Sequence, residues 1–196
     1  MSLSIIVSVV LGITMGLLMP EYIFNYTDII IDFGLCLLLF FVGIDIGRNK
    51  GVFNDIKKIG LKVLLIPIMI IIGSISGSVI AGFFVGLPVN ESSAVGAGFG
   101  WYSLSAMLLS EYSTELSALA FISNVVREIL AIIFIPIIAK YIGDVESVAP
   151  AGATAMDTSL PIISKATNPE ISIIAFITGV VLSSLVPILV PMLINL

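Results

Sequence analysis

Histidine is absent from this 196-residue sequence, cysteine occurs once, and charged residues make up only 11% of it. The first two scarcities remove the usual ligands of zinc and haem. They also exclude a disulfide within the chain, since Cys36 stands alone in an apolar run. No cofactor or metal is therefore expected. The third scarcity excludes an ordinary soluble domain, which carries about 25% charged residues. No Ser/His pair, Gly-x-Gly-Asp motif or metal-ligand set is present either, which argues against an intramembrane enzyme. What remains is greasy: 59% hydrophobic residues and a mean hydropathy of +1.22, the composition of an integral membrane protein. The net charge of −5 says little, because eight basic and thirteen acidic residues matter more by placement than by sum.

Apolar runs bounded by breakers predict an all-α membrane protein forming one transmembrane domain over residues 1–196. The expected spans are approximately 3–19, 27–46, 63–86, 94–110, 115–141, 150–168 and 171–195. That makes seven crossings, or five if 94–110 and 150–168 dip in and return. The first run has no basic leader or small-residue cleavage site and reads as a span, not a removable signal. Asp32 and Asp45 fall near the ends of the second run, where solvent or an interface accommodates them. The basic cluster Arg48, Lys50, Lys57, Lys58 and Lys62 places the 47–62 loop, and with it the N-terminus, in the cytoplasm. Gly12 and Gly16, and again Gly73, Gly77 and Gly82, suit close helix packing.

Two spans look broken. Gly96, Gly98 and Gly100 come in quick succession before Trp101, Tyr102, Ser103 and Ser105. A P-loop reading fails there, since no strand precedes the glycines and no Lys-Ser/Thr follows them. Residues 149–161 are small and polar, with Asp157 and Thr158 shortly before Pro161. At membrane depth an opened helix is tolerated only where protein or a watery cavity satisfies its backbone, which is how transporters build binding sites. Gly-mediated packing is the plainer alternative. Laid over one another, the two stretches set Gly98 on Gly152 and Ser103 opposite Asp157, a weak hint of inverted-repeat character.

The costliest residues are Asn124, Arg127 and Glu128, in the middle of the 115–141 span and on one helix face. Arg127 and Glu128 point about 100° apart, so each needs its own partner. A fixed Arg127–Asp157 ion pair holding a broken helix is the structural option, and it leaves Glu128 unexplained. A buried acid with no fixed cation can take a proton or accept a cationic solute, and alternating between the two is antiport.

Three ordered segments carry a resemblance: Gly98-Phe99-Gly100-Trp101-Tyr102-Ser103-Leu104-Ser105, Asn124-x-x-Arg127-Glu128, and Gly152-Ala153-Thr154-x-Met156-Asp157-x-x-Leu160-Pro161. With Leu37–Gly43 they resemble the signature segments of the LysO family of lysine exporters. The resemblance implies export of L-lysine and analogues such as thialysine across the cytoplasmic membrane in exchange for protons, with Glu128 and Asp157 needed for transport. On that basis Glu128, Asp157, Arg127 and Asn124 are expected to handle substrate and proton. Trp101, Tyr102, Ser103, Ser105, Gly98, Gly100 and Thr158 are expected to line the path. Family members usually carry about three further N-terminal helices. A homodimer, or a small membrane-protein partner supplying those helices, is therefore expected. Exchange of another cationic amino acid or cation, and a non-transporting subunit of a two-component complex, remain the alternatives.

Overall fold

The computed structural model describes residues 2–18 and 60–196 and, singly, Pro20, Phe33, Leu37, Phe40 and Ile44. Apart from those five residues, the 27–46 span, the 20–26 link and the basic residues of 48–58 lie outside the described residues. Among the described residues the chain is helical, with no strand. Helices α1 (Ser2–Leu18), α2 (Leu65–Val85), α3 (Val89–Gly96), α4 (Tyr102–Ser110), α5 (Thr114–Tyr141), α6 (Leu160–Ala166) and α7 (Pro169–Ile194) follow in order. Short 3-10 turns occupy Gly60–Leu64, Glu146–Val148 and Gly152–Met156.

Three of these helices, α2, α5 and α7, are long and apolar enough to cross a membrane. Their ends carry ordinary signals. Ser113 caps α5 by accepting from the Leu116 N–H, with Glu115 in the first turn and Lys140 in the last, each at the end its charge favours. Asn168 caps α7 by accepting from the Ile171 N–H, just ahead of Pro169. Helix α2 stops at Gly86, whose φ of 82° is left-handed.

Helix α7 is the centre. Half of its most apolar window is buried inside the protein, against 11% for α2 and 22% for α5. One apolar cluster joins Ile171, Ile174 and Ala175 of α7 to Ala131 and Ile135 of α5 and Ile163 of α6. A second joins Leu182, Val186 and Val190 of α7 to Ala94, Phe99, Leu109 and Ala120. Leu182 and Ala120 are fully buried. These two clusters fix both broken segments against α7.

The breaks fall where the small residues predicted them, with two differences. The first broken segment starts at Val89, earlier than residue 94. The second is not a helix over 150–168 but the Gly152–Met156 3-10 turn, three irregular residues and the seven-residue α6. At Gly12, Gly16, Gly73 and Gly77 a Cβ would meet no atom of the described residues within 4 Å. Of that set only Gly82 is packed tightly, against Ser92 at the turn into α3.

Candidate functional site

The first break spans residues 97–101, between α3 and α4. Phe99 takes a φ of 47°, rare for a bulky side chain, and Gly100 follows at 100°. This turn is held from α5. Asn124 Oδ1 accepts from the Gly100 N–H at 2.7 Å, while its amide nitrogen donates to Ala120 O at 2.8 Å and to Ser105 Oγ at 3.3 Å. Ser105 in turn donates to Trp101 O at 2.8 Å. Gly98 lies directly behind, where a Cβ would come within 2.6 Å of Asn124 Nδ2. Asn124, Ser105 and Gly98, all expected near substrate, thus form the back of the break. Asn124 and Ser105 are buried with their polar atoms occupied.

The second break crosses the first. Ala153 N–H donates to Phe99 O at 2.8 Å, joining the two opened backbones directly. Gly152, at a φ of 61°, makes this approach possible, because a Cβ there would overlap the Phe99 carbonyl. Thr154 and Ser159 share a 2.7 Å hydroxyl contact that closes the turn from within. On its other side the turn rests on Gly179 of α7, which has no room for a side chain against Met156 and Ala153.

Arg127 and Glu128 leave α5 on different sides of this crossing. Arg127 donates to the Ser74 hydroxyl at 2.7 Å and to the Pro150 and Ala149 carbonyls at 3.2 and 3.4 Å. Its acceptors are neutral, and the Arg127–Asp157 ion pair does not form. The guanidinium lines a groove of about 960 Å³ between α2 and α5, whose walls are otherwise almost wholly apolar.

Glu128 faces the opposite way, into a small cavity of about 190 Å³. Asp157 and Thr158 of the second break line it, with Tyr102, Ser103, Trp101 and Gly100 of the first and Ser183 of α7. Thr158 Oγ1 donates to Glu128 Oε1 at 2.5 Å, and the Thr158 N–H donates to Asp157 Oδ1 at 2.5 Å. Two carboxylates therefore converge on one residue, and among the described residues no Lys or Arg lines the cavity. Ser103 and Asp157, placed opposite each other when the two stretches are overlaid, open onto the same space. Sequence reasoning missed Ser74, Ser183, Thr154 and Ser159. Ser74 and Ser183 are hydroxyls in apolar runs and Thr154 and Ser159 lie among other small polar residues, signals too common to separate these from the others.

Such an arrangement defines a class: an all-α membrane protein in which two crossed helix breaks enclose acids with no basic partner among the described residues. The sequence model of the lysine exporter LysO matches residues 6–194. The chain is 34% identical over 183 residues to the lysine exporter LysO of Escherichia coli K12, covering 93% of this chain and 60% of that one. It is 32% identical over 185 residues to a Haemophilus influenzae protein whose name assigns it lysine export provisionally, covering 93% and 92%. The chain belongs to the LysO family, a family of transporters, and it spans about 60% of the length of the Escherichia coli relative. No solved structure matches it.

Proposed function

We propose that this chain is the transporting core of a secondary exporter that carries L-lysine, and analogues such as thialysine, out across the cytoplasmic membrane in exchange for protons. The observation that carries this reading is the convergence of Glu128 and Asp157 in a cavity that no basic residue lines among the described residues. Two acids in that position need a cation, and an ammonium group or a proton each answers the need. The Tyr102 and Ser103 end of α4 opens onto the same cavity. As a helix N-terminus it suits the substrate carboxylate. Arg127 opens onto the other side of the crossing, so in this arrangement it does not face the substrate held by the acids.

The orientation follows from the basic 47–62 loop, which sets that loop and the N-terminus in the cytoplasm, with seven crossings in all. The apolar groove bearing Arg127 supports the partner reading. A second copy, or a small membrane protein supplying further helices, would cover it and meet the guanidinium.

The test is lysine counterflow in proteoliposomes. Glu128→Gln and Asp157→Asn should each abolish exchange of labelled lysine while the purified proteins keep their helical content. Undiminished exchange in both variants would sink the assignment. Exchange of another cation, with lysine inert, would move it to a different substrate.

A further inference from the structure

We propose that Thr158 is a positioning residue whose single hydroxyl proton ties Glu128 and Asp157 into one cation-handling unit. This rests on the reading of those two acids as the cation site. A threonine hydroxyl owns one proton and two lone pairs, so it can donate to only one carboxylate at a time. Here Oγ1 donates to Glu128 Oε1 at 2.5 Å and stands 3.3 Å from Asp157 Oδ1. The first distance is that of a charge-assisted bond, while the second is a weak contact. Asp157 is served instead by the Thr158 backbone N–H at 2.5 Å, so one residue grips both acids through two different donors.

The consequence is a shared proton donor. While Glu128 is ionised it holds the hydroxyl. Once a proton or an ammonium group occupies Glu128, the hydroxyl is free to turn toward Asp157, which then gains the donor Glu128 has released. An event at one acid is thereby felt at the other, and the pair handles one cationic group jointly instead of one each.

Among the described residues, Tyr102 is the one other titratable group that lines the cavity. Helix α4 presents the Tyr102 phenol to the cavity, α5 presents Glu128, the second break presents Asp157, and α7 presents only Ser183. Arg127, next to Glu128 in the chain, is bonded to Ser74, Pro150 and Ala149 on the far side. Thr158 sits in an irregular stretch between the Gly152–Met156 turn and α6, so an isosteric valine there disturbs no helix.

The test is an infrared titration of the Asp157 carboxyl band in purified, detergent-solubilised protein, which needs no transport. Glu128→Gln should move the band's titration in the Thr158 background and move it far less alongside Thr158→Val. Thr158→Ser, which keeps the hydroxyl, should restore the larger shift. Equal shifts with Thr158 and with Thr158→Val would overturn the proposal, as would Thr158→Ser behaving like Thr158→Val.

Lysine counterflow on the same proteins should fall on the order of tenfold or more in Thr158→Val, the loss expected of one hydrogen bond to a charged group. Thr158→Ser should rescue it, and an unchanged rate in Thr158→Val would also count against the proposal. If the wild-type chain moves no lysine, the proposed function fails, and the infrared result still decides the role of Thr158.

Discussion

The two helix breaks touch through one backbone hydrogen bond, yet they are built differently. At the first, a buried Asn124 from α5 holds the Gly100 N–H and ties Ser105 and Ala120 into the same network, and no acid belongs to the break. At the second, hydroxyls of Thr154 and Ser159 close the turn locally, and the acid Asp157 lies between them in the chain with its carboxylate bonded to Thr158. Backbone opened at membrane depth must be satisfied by protein or water. The first break meets that demand from a long neighbouring helix and so behaves as scaffold. The second meets it partly within itself and partly through Arg127 on the Pro150 and Ala149 carbonyls, on the side away from its carboxylate, which faces the cavity. The division of labour is between a strut and a hand.

The largest effects should come from the crossing itself. Gly152→Val forces a β-branched residue into a left-handed φ, costing on the order of 1–3 kcal/mol, and drives its side chain into the Phe99 carbonyl. The expected outcome is loss of folded protein on extraction into detergent, read by size-exclusion profile. A monodisperse, thermally unaltered Gly152→Val protein would show that the two breaks need not touch.

A smaller, more informative contrast separates strut from hand. Asn124→Ala strands the Gly100 N–H and removes two further bonds, so it should lower stability by about 1–3 kcal/mol for an unsatisfied buried group. Ser103→Ala removes a hydroxyl that lines the acid cavity and should leave the melting temperature near the wild-type value while raising the KM for lysine. Thermal unfolding in micelles alongside counterflow kinetics checks both. If Ser103→Ala melts early and Asn124→Ala does not, the assignment of roles to the two breaks is reversed.

Much of this arrangement was legible in the residues. Clustered Gly96, Gly98 and Gly100 announced an opened helix, and the small, polar 149–161 stretch announced another, because both compositions weaken continuous helix. Adjacency also told that Arg127 and Glu128 must part, and they open onto different spaces. The fate of Asn124 was not legible. Its position on the face shared with Arg127 and Glu128 suggested substrate, but only the distance to Gly100 reveals that its amide is consumed by the break. The Arg127–Asp157 pair failed for a related reason. Charge alone proposes a partner, whereas the Phe99–Ala153 crossing stands between the groove and the cavity. Left-handed Phe99 had no signal at all, since a bulky residue is imposed there by its surroundings and not by its own preference.

The smallest expected effect concerns glycines that look alike in sequence and differ in place. Gly179 abuts Met156 and Ala153, so an alanine there must displace the second break. Gly73 and Gly77 line the open groove with no atom of the described residues within 4 Å of a Cβ, so alanine should cost the isolated chain nothing. It should even stabilise α2 by roughly 0.5–1 kcal/mol, because glycine is a poor helix former. Gly73→Leu should likewise leave the isolated chain folded, but it would obstruct any helix seated between α2 and α5. Chemical cross-linking in native membranes distinguishes the cases. If a second copy or a partner occupies the groove, Gly73→Leu reduces the cross-linked species while the chain's own melting temperature holds. If lipid fills it, the cross-linking pattern does not change, and Arg127 answers only to Ser74 and the two carbonyls beside it.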